Sequence, residues 1–121
     1  MARHNEDGKK AEALAKEFLE KQGYDILDEN WVYGKAEVDI IAFHNKQLIF
    51  IEVKARSGNY FGNPEEFVDK KKQRLLTEAA EEYIYLMSHK GEIRFDIISI
   101  IFKKGFDQYE IKHIEDAFWN Y

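Results

Sequence analysis

Three acidic residues and a lysine lie in two neighbouring apolar stretches, and their types could support metal-assisted hydrolysis. Glu37 and Asp39 occur within residues 36–43, and Glu52 and Lys54 occur within residues 47–54. Carboxylate oxygens are ligands that Mg²⁺ and Mn²⁺ prefer, and a nearby ammonium could meet a phosphate or a metal-bound water. Whether these side chains meet depends on how the two stretches pair.

The two stretches are rich in β-branched residues and flank the polar segment 44–47, a pattern that predicts an antiparallel hairpin. A two-residue turn and a four-residue loop give the same register, in which paired residue numbers sum to 91. Asp39 then lies opposite Glu52, and Glu37 lies opposite Lys54. Because side chains alternate along a strand, we expect all four to project from one face of the sheet.

The negative charges of Asp39 and Glu52 would repel each other in this register. Opposed side chains have Cβ atoms roughly 5 Å apart, and like charges there destabilise a sheet, so a divalent cation between Asp39 and Glu52 would relieve the repulsion. The alternative is a solvated strand face on which Glu37 pairs with Lys54. Apolar neighbours on the same predicted face favour the edge of a cleft. These neighbours are Ile41, Leu48 and Phe50.

Two helical residues are further candidates for this cleft. Glu12 shares a helical stripe with Ala15 and Leu19, so it borders the apolar face and could point toward the sheet, or remain a surface glutamate. Lys72 lies one turn before Leu76 at the start of the second helix, where it could reach the same cleft or remain solvated. The four histidines show no ligand spacing, so we assign none of them to a metal.

The elements that must position these residues follow from hydrophobic periodicity and turn residues. Apolar residues at helical spacing predict helices at about 5–22 and 68–89, the first ending before Gly23 and the second near Gly91. Strands are predicted at 24–33, 36–43, 47–54, 94–102 and 108–114, with a loop at 57–64 that holds the single proline. The predicted order is α-β-β-β-α-β-β, an α/β fold with a mixed sheet flanked by helices.

Length and composition exclude several classes of protein. The chain has 121 residues, 45% of them hydrophobic, which suits one domain spanning residues 1–121. There are no cysteines, so disulfides and thiolate metal sites are excluded. The charged N-terminus is unlike a signal peptide, and the sequence contains no window as apolar as a membrane span, so we expect a cytoplasmic protein without a membrane partner.

Charge is distributed unevenly along the chain. The net charge of -5 argues against a nucleic-acid partner, because phosphate-tracking surfaces are usually basic. Residues 54–74, however, carry six Lys or Arg against three acids, whereas residues 107–121 carry one lysine against four acids. A basic side is compatible with a phosphate-bearing partner, and it is equally compatible with solvated helix faces.

Several short motifs occur together along the chain. The motifs are Gly8-x-x-x-Glu12, Gly23-Tyr24, Asn30-Trp31, Glu37-Val38-Asp39, Phe50-Ile51-Glu52-Val53-Lys54-Ala55-Arg56-Ser57, Lys72 with Leu75, and Arg94-Phe95-Asp96. Together they resemble the YraN family, a bacterial family of the restriction endonuclease-like superfamily. The resemblance covers about residues 8–101, and its most specific part is the combination of Glu-x-Asp with Glu-Val-Lys-x-Arg-Ser. One departure is Ala36, where the family usually carries glycine; it affects the turn and leaves the carboxylates in place.

The resemblance implies a restriction endonuclease-like fold and metal-assisted phosphodiester hydrolysis, with structured or branched DNA as the expected substrate. It maps the superfamily's catalytic residues onto Asp39, Glu52 and Lys54, and a glutamate that junction resolvases add from the first helix onto Glu12. The implied ligands of Mg²⁺ or Mn²⁺ are Asp39, Glu52, the carbonyl of Val53 and, through water, Glu12. Lys54 would orient the attacking water or neutralise charge. The residues expected to bind nucleic acid are Arg56, Ser57, Lys72 and Arg74.

Two other classes of function stay open because a fold does not establish an activity. One is a non-catalytic nucleic-acid-binding module on a nuclease fold, whose sign would be a missing ligand; none of the four is missing here. The other is an interaction protein whose sheet edge or aromatic C-terminus forms a homodimer. That C-terminus contains Phe118, Trp119 and Tyr121.

Overall fold

Two helices cover the two faces of a five-stranded sheet in the computed structural model, which describes residues 6–57, 68–103 and 108–118. The predicted α/β class and the order α-β-β-β-α-β-β are confirmed. The predicted loop beyond Ser57 lies outside the described residues. The elements are α1 (Glu6–Lys21), β1 (Asp25–Tyr33), β2 (Ala36–His44), β3 (Gln47–Ser57), α2 (Lys70–Met87), β4 (Glu92–Lys103) and β5 (Gln108–Ile114).

Helix α1 is held to the sheet by a stripe of small and apolar residues. Ala11, Ala15 and Leu19 recur every fourth position, and each is 1% exposed or less. Gly23, just past the helix end, has a φ of 91°, a left-handed conformation that glycine adopts without steric cost. The predicted end of the first helix is therefore confirmed to within a residue.

Helix α2 begins and ends inside its predicted range of 68–89. The side chain of Asp69 caps its first turn by accepting a hydrogen bond from the backbone N–H of Lys72 at 2.9 Å. Ser88 ends the helix in a left-handed conformation with a φ of 55°, so the helix stops before Gly91. The buried residues of α2 are Leu76, Ala79, Ala80 and Tyr83.

The sheet has its strands in chain order, β1-β2-β3-β4-β5. β3 and β4 pair in parallel over their lengths, with α2 as the crossover, and all other neighbours are antiparallel. The β2–β3 hairpin has five backbone pairs, from His44–Gln47 to Ile40–Ile51, and their numbers sum to 91. The predicted hairpin register is therefore confirmed for these pairs.

Two apolar layers lie on opposite sides of the sheet. The layer under α1 contains Ala11, Ala15, Leu19, Tyr24, Ile40, Ala42, Ile49, Ile51, Ile98, Ile100 and Phe102. The layer under α2 contains Ala36, Val38, Ile41, Leu48, Phe50, Val68, Leu76, Ala79, Ala80, Tyr83, Phe95 and Ile97. Membership of a layer therefore shows which way a strand residue points.

A buried carboxylate joins β4 to β5 and the segment after it. Asp96 is fully buried and accepts hydrogen bonds from Nε and Nη2 of Arg94, both at 2.8 Å. Nε2 of His113 lies 2.7 Å from the same carboxylate, and the backbone N–H of Asp116 donates to it at 3.0 Å. Arg94 in turn donates to the hydroxyl of Tyr24, so this network connects β4 to the end of α1.

The C-terminal aromatic residues were predicted to suit a homodimer. Phe118 stacks on Phe95 of its own chain, with ring centroids 5.2 Å apart, while Trp119 and Tyr121 lie outside the described residues. Neither described helix has the length and apolarity that a membrane crossing requires.

Candidate functional site

A cleft of about 560 Å³ opens where strands β2 and β3 diverge beneath the start of α1. The hairpin ladder stops at the Ile40–Ile51 pair, so the predicted pairs Asp39–Glu52 and Glu37–Lys54 do not form. All four predicted catalytic residues nevertheless line the cleft. Its lining comprises Gly8, Ala11, Glu12, Glu37, Asp39, Glu52, Val53, Lys54, Ala55 and Arg56.

The prediction that all four side chains share one sheet face was wrong for Glu37. Ile40 belongs to the layer under α1 but Val38 belongs to the layer under α2, so strand alternation is interrupted at Asp39. Glu37 lies on the α1 side, where the amide of Asn30 connects it to a glutamate of α1. Glu52 contacts a lysine of α2 and therefore points toward α2. Asp39 and Glu52 both line the cleft at the gap between the strands.

The interruption involves both β1 and β2. Their register passes from Glu29–Ile40 to Trp31–Val38 and omits Asn30 and Asp39, which would otherwise face each other. Asn30 has a φ of 53°, a left-handed conformation that asparagine tolerates better than most residues. The pairing register is the same on both sides of these two unpaired residues, and the β-bulge of this strand pair lies between Ile26 and Asp28.

Asn30 connects two glutamates on the α1 side of the cleft. In the amide orientation that satisfies all three side chains, its nitrogen donates to Oε1 of Glu12 at 3.2 Å and to Oε2 of Glu37 at 3.1 Å. Burial raises the pKa of Glu12, the hydrogen bond from Asn30 opposes that shift, and the charges of Glu37 and Glu52 add to it. Asn30 thus holds two like charges together at one wall of the cleft.

Asp39 occupies the gap between the diverging strands. Its Oδ2 accepts a hydrogen bond from the backbone N–H of Val53 at 2.8 Å, so a side chain replaces the backbone acceptor that a continued ladder would supply. Burial, followed by the charge of Glu52, raises the pKa of Asp39 well above its usual value, while the Val53 hydrogen bond lowers it. The carboxylate charge is therefore under-compensated in the metal-free protein.

Glu52 is the most deeply buried acid of the cleft, with 4% of its surface exposed. Its Oε2 lies 3.1 Å from Nζ of Lys72 and 3.5 Å from Nζ of Lys54. Its Oε1 is buried and has no hydrogen-bond partner among the described residues. A buried oxygen of this kind costs free energy unless a donor or a cation satisfies it.

The four residues predicted to bind nucleic acid lie in different places. Arg56 lines the cleft and its Nη1 donates to the carbonyl of Ala55 at 2.8 Å. Lys72 contacts the acid Glu52. Arg74 lies exposed on α2, outside the cleft lining. The side chain of Ser57 lies outside the described residues.

The metal-free arrangement is not a ready-made metal centre. Across the described ranges, no group of three or more acidic, histidine or cysteine side chains is placed to hold a metal ion. Two ammonium groups instead neutralise Glu52, and an amide separates Glu12 from Glu37. The donor chemistry still fits a hard divalent cation, because the candidate ligands are oxygens and Oε1 of Glu52 is buried without a described partner.

Sequence reasoning missed two contacts of this site. Glu37 was expected opposite Lys54 and contacts Asn30 instead, and Asn30 itself was noted only as part of a family motif. An asparagine inside a strand-like stretch is a signal for a left-handed residue, since its side chain can compensate locally for the strain. Such a residue predicts a local distortion of the strand but not the acids that it will contact.

Asp39→Asn is expected to leave the thermal stability of the metal-free protein unchanged or raised. The variant removes a charge that burial and Glu52 disfavour, and its amide oxygen can still accept from Val53. A metal-induced rise in melting temperature should disappear, because a native-state ligand would be lost. Circular dichroism melts with and without Mn²⁺ measure both effects, with Asp25→Asn on exposed β1 as the control. A lower metal-free melting temperature for Asp39→Asn alone would identify Asp39 as a structural acceptor.

The amino-acid sequence matches known proteins over the whole of this site. The family model described as "Uncharacterised protein family UPF0102" matches residues 11–100. A UPF0102 protein of Flavobacterium psychrophilum is 46% identical over 121 residues, which is 100% of both chains. Another, of Christiangramia forsetii, is 49% identical over 119 residues, 98% of each chain. A third, of Phocaeicola vulgatus, is 43% identical over 98% of this chain and 97% of its own.

Proposed function

Since this chain belongs to the UPF0102 family, the YraN family that its motifs resemble, we propose that it is a metal-dependent nuclease. The reaction is hydrolysis of phosphodiester bonds, with structured or branched DNA as the substrate and Mg²⁺ or Mn²⁺ as the cofactor. The resemblance to the restriction endonuclease-like superfamily supplies the reaction class, and the geometry of the cleft supplies the residues that carry it out.

The observation that carries the proposal is a buried acidic cleft in which both lysine contacts are made to one oxygen of Glu52 and the other oxygen is left without a partner among the described residues. Asp39 has a raised pKa, and Glu52 beside it is 4% exposed with one oxygen atom unpartnered within the described part of the chain. A protein that needed only stability would gain by replacing such groups. Acids kept under these conditions are typical of functional sites.

The position of each residue in the cleft determines its role in the proposed reaction. Asp39, Glu52 and the carbonyl of Val53 would hold the cation, with Glu12 at the rim beneath α1. The bound cation would act as a Lewis acid on the phosphate and lower the pKa of a water molecule. Lys54, 21% exposed on the α2 side, orients the attacking water or neutralises charge that develops on the phosphate.

Asn30 is a positioning residue in this scheme. Its amide connects Glu12 and Glu37, and its left-handed backbone lies where Asn30 and Asp39 are both missing from the strand pairing. The cleft therefore depends on a local distortion of β1 and β2 that packing of the two apolar layers maintains on both sides.

A second candidate function is a non-catalytic nucleic-acid-binding module. It is favoured by the ammonium groups of Lys54 and Lys72, which neutralise the charge of Glu52. Under this alternative, Lys54 and Arg56 would bind phosphate and no bond would be cut.

A cleavage screen separates the two candidates. A four-way DNA junction, a flap, a nicked duplex and a single strand are incubated with the protein and Mg²⁺ or Mn²⁺, and products are resolved on denaturing gels. We expect cleavage of at least one branched substrate, abolished by a chelator and by Lys54→Ala. Binding of these substrates without cleavage under either metal would favour the binding module.

A further inference from the structure

We propose that Lys72 is the resident counterion of the acidic cleft, which a divalent cation displaces from Glu52 and thereby frees to bind a phosphate of the nucleic acid. The inference rests on the proposed function and extends it. It makes metal binding and nucleic-acid binding two steps that are coupled through one side chain.

The contact geometry supports a displaceable ion pair. Nζ of Lys72 lies 3.1 Å from Oε2 of Glu52, closer than Nζ of Lys54 at 3.5 Å. Glu52 also lines the cleft together with Asp39. Lys72 therefore contacts one of the carboxylates that a cation would use.

A divalent cation on the free oxygen of Glu52 would add two positive charges beside the two ammonium groups on the other oxygen, and like charges repel at this range. Lys54 is 21% exposed and is fixed on a central strand, whereas Lys72 is 37% exposed at the end of a helix. The hydrogen bond of Asp69 fixes only the backbone of Lys72. Its side chain can rotate outward without moving the helix, so Lys72 is the group that leaves.

At the start of α2, the displaced ammonium of Lys72 can bind a phosphate. The helix opens with Lys70, Lys71 and Lys72, three cations at the end where the helix dipole repels positive charge. The ion pair with Glu52 offsets that repulsion in the metal-free protein. Once released, the lysine joins backbone N–H groups and neighbouring lysines at a helix terminus, an arrangement that favours a phosphate.

The test compares Lys72→Met with Lys71→Met, which removes the same charge from the neighbouring exposed position. Isothermal titration with Mn²⁺ alone should show Lys72→Met binding about 5–10-fold more tightly than the unmodified chain, because the metal no longer displaces a counterion. Lys71→Met should bind as the unmodified chain does. Lys72→Arg, which keeps the charge, should lie within about twofold of the unmodified chain and covers the case in which methionine disturbs folding.

A second arm measures coupling to nucleic acid. In a Lys54→Ala background, fluorescence anisotropy reports binding of a labelled four-way DNA junction with and without Mn²⁺. Mn²⁺ should tighten binding about 5–10-fold when Lys72 is present and should have little effect with Lys72→Met. The salt dependence should also lose about one phosphate contact in the double variant.

The outcomes separate this inference from the proposed function. Mn²⁺ affinity that depends on Asp39 but is unchanged or weakened by Lys72→Met would overturn the counterion and leave the metal site in place. Equal effects of Mn²⁺ on junction binding with and without Lys72 would overturn the phosphate step. A chain that binds no Mn²⁺ in any variant would remove both the metal-dependent function and the inference.

Discussion

Lys54→Ala is expected to reduce phosphodiester cleavage about 10²–10³-fold, or ~2.7–4 kcal/mol in transition-state stabilisation, while the protein folds normally. The reason is that a lysine facing developing phosphate charge acts mainly in the transition state. In the resting protein its contribution is small, because Oε2 of Glu52 keeps Lys72 at 3.1 Å when Lys54 is removed. Single-turnover cleavage of the best substrate from the screen measures the loss.

Control variants distinguish the loss of a catalytic group from the loss of one positive charge. Lys103→Ala removes an exposed lysine that pairs with Glu110 at 2.6 Å on the β4–β5 edge, and it should leave the cleavage rate unchanged. Lys54→Ala should also keep its Mn²⁺ affinity and nearly all of its junction affinity. If Lys54→Ala weakens junction binding as strongly as Lys72→Ala, and the intact protein cuts nothing, Lys54 is a phosphate-binding residue and the nuclease assignment is wrong.

Asp96→Asn is expected to destabilise the protein by about 3–5 kcal/mol, because it breaks a buried ion pair from one side. Asparagine has one acceptor oxygen where the carboxylate accepts from Arg94 twice, from His113 and from the backbone N–H of Asp116. Within residues 6–57, 68–103 and 108–118, the guanidinium of Arg94, 13% exposed, would then keep a single charge partner, Glu115 at 3.6 Å. Urea unfolding gives the difference in the free energy of unfolding.

The pH dependence of this effect has a definite sign. Burial acts to raise the pKa of Asp96, but hydrogen bonds from His113, Arg94 and Asp116 outweigh burial and lower it below the usual 3.8. A lowered pKa means stabilisation that is complete above the unfolded value and is lost as pH falls through the folded value. The difference between the intact protein and Asp96→Asn should therefore be constant near neutral pH and shrink below about pH 4.

Glu110→Gln is the control for Asp96→Asn. It removes an acid from an exposed ion pair on the adjacent strand, which contributes little to stability in water. If Asp96→Asn lowers the free energy of unfolding as little as Glu110→Gln does, the hydrogen bonds around Arg94 rearrange to accept the amide. The network then does not hold β4 to β5.

The amino-acid sequence predicted the elements and their order because each carries a local signal. Periodic apolar residues mark both helices, and the polar segment 44–47 fixes the hairpin register through the turn alone. The five hairpin pairs nearest the turn confirm that register. Local chemistry therefore decides the part of the fold that is close to a turn.

The geometry of the site could not be predicted in the same way. Extending the register beyond Ile40 and Ile51 assumed unbroken pairing and alternation, but the ladder stops there and β2 changes face between Val38 and Ile40. A shift of one residue moves a side chain to the other face, so the predicted Glu37–Lys54 pair does not form. Asp39 and Glu52 both line a gap between the strands that the hairpin register did not predict.

The amino-acid sequence also could not predict which distant residues the charged side chains contact. Lys72 was weighed as a cleft residue because of its place on the second helix, but its contact with Glu52 depends on how α2 crosses the sheet. Asp96 was noted only within Arg94-Phe95-Asp96, and its contact with His113 requires the pairing of β4 with β5. Spacing along the chain carries no signal for such contacts.

The chain-order arrangement of the strands has a consequence for how the protein is made. β1, β2 and β3 can pair as soon as they emerge from the ribosome, because short turns connect them. β3 and β4 pair residues 45 positions apart, so this step bears the largest loop-closure cost and waits for α2 and β4 to be synthesised. A nascent chain thus brings Asp39 and Glu52 together before it has Lys72 to neutralise them. Translation assembles the acids first and their counterion later, when the parallel pair closes.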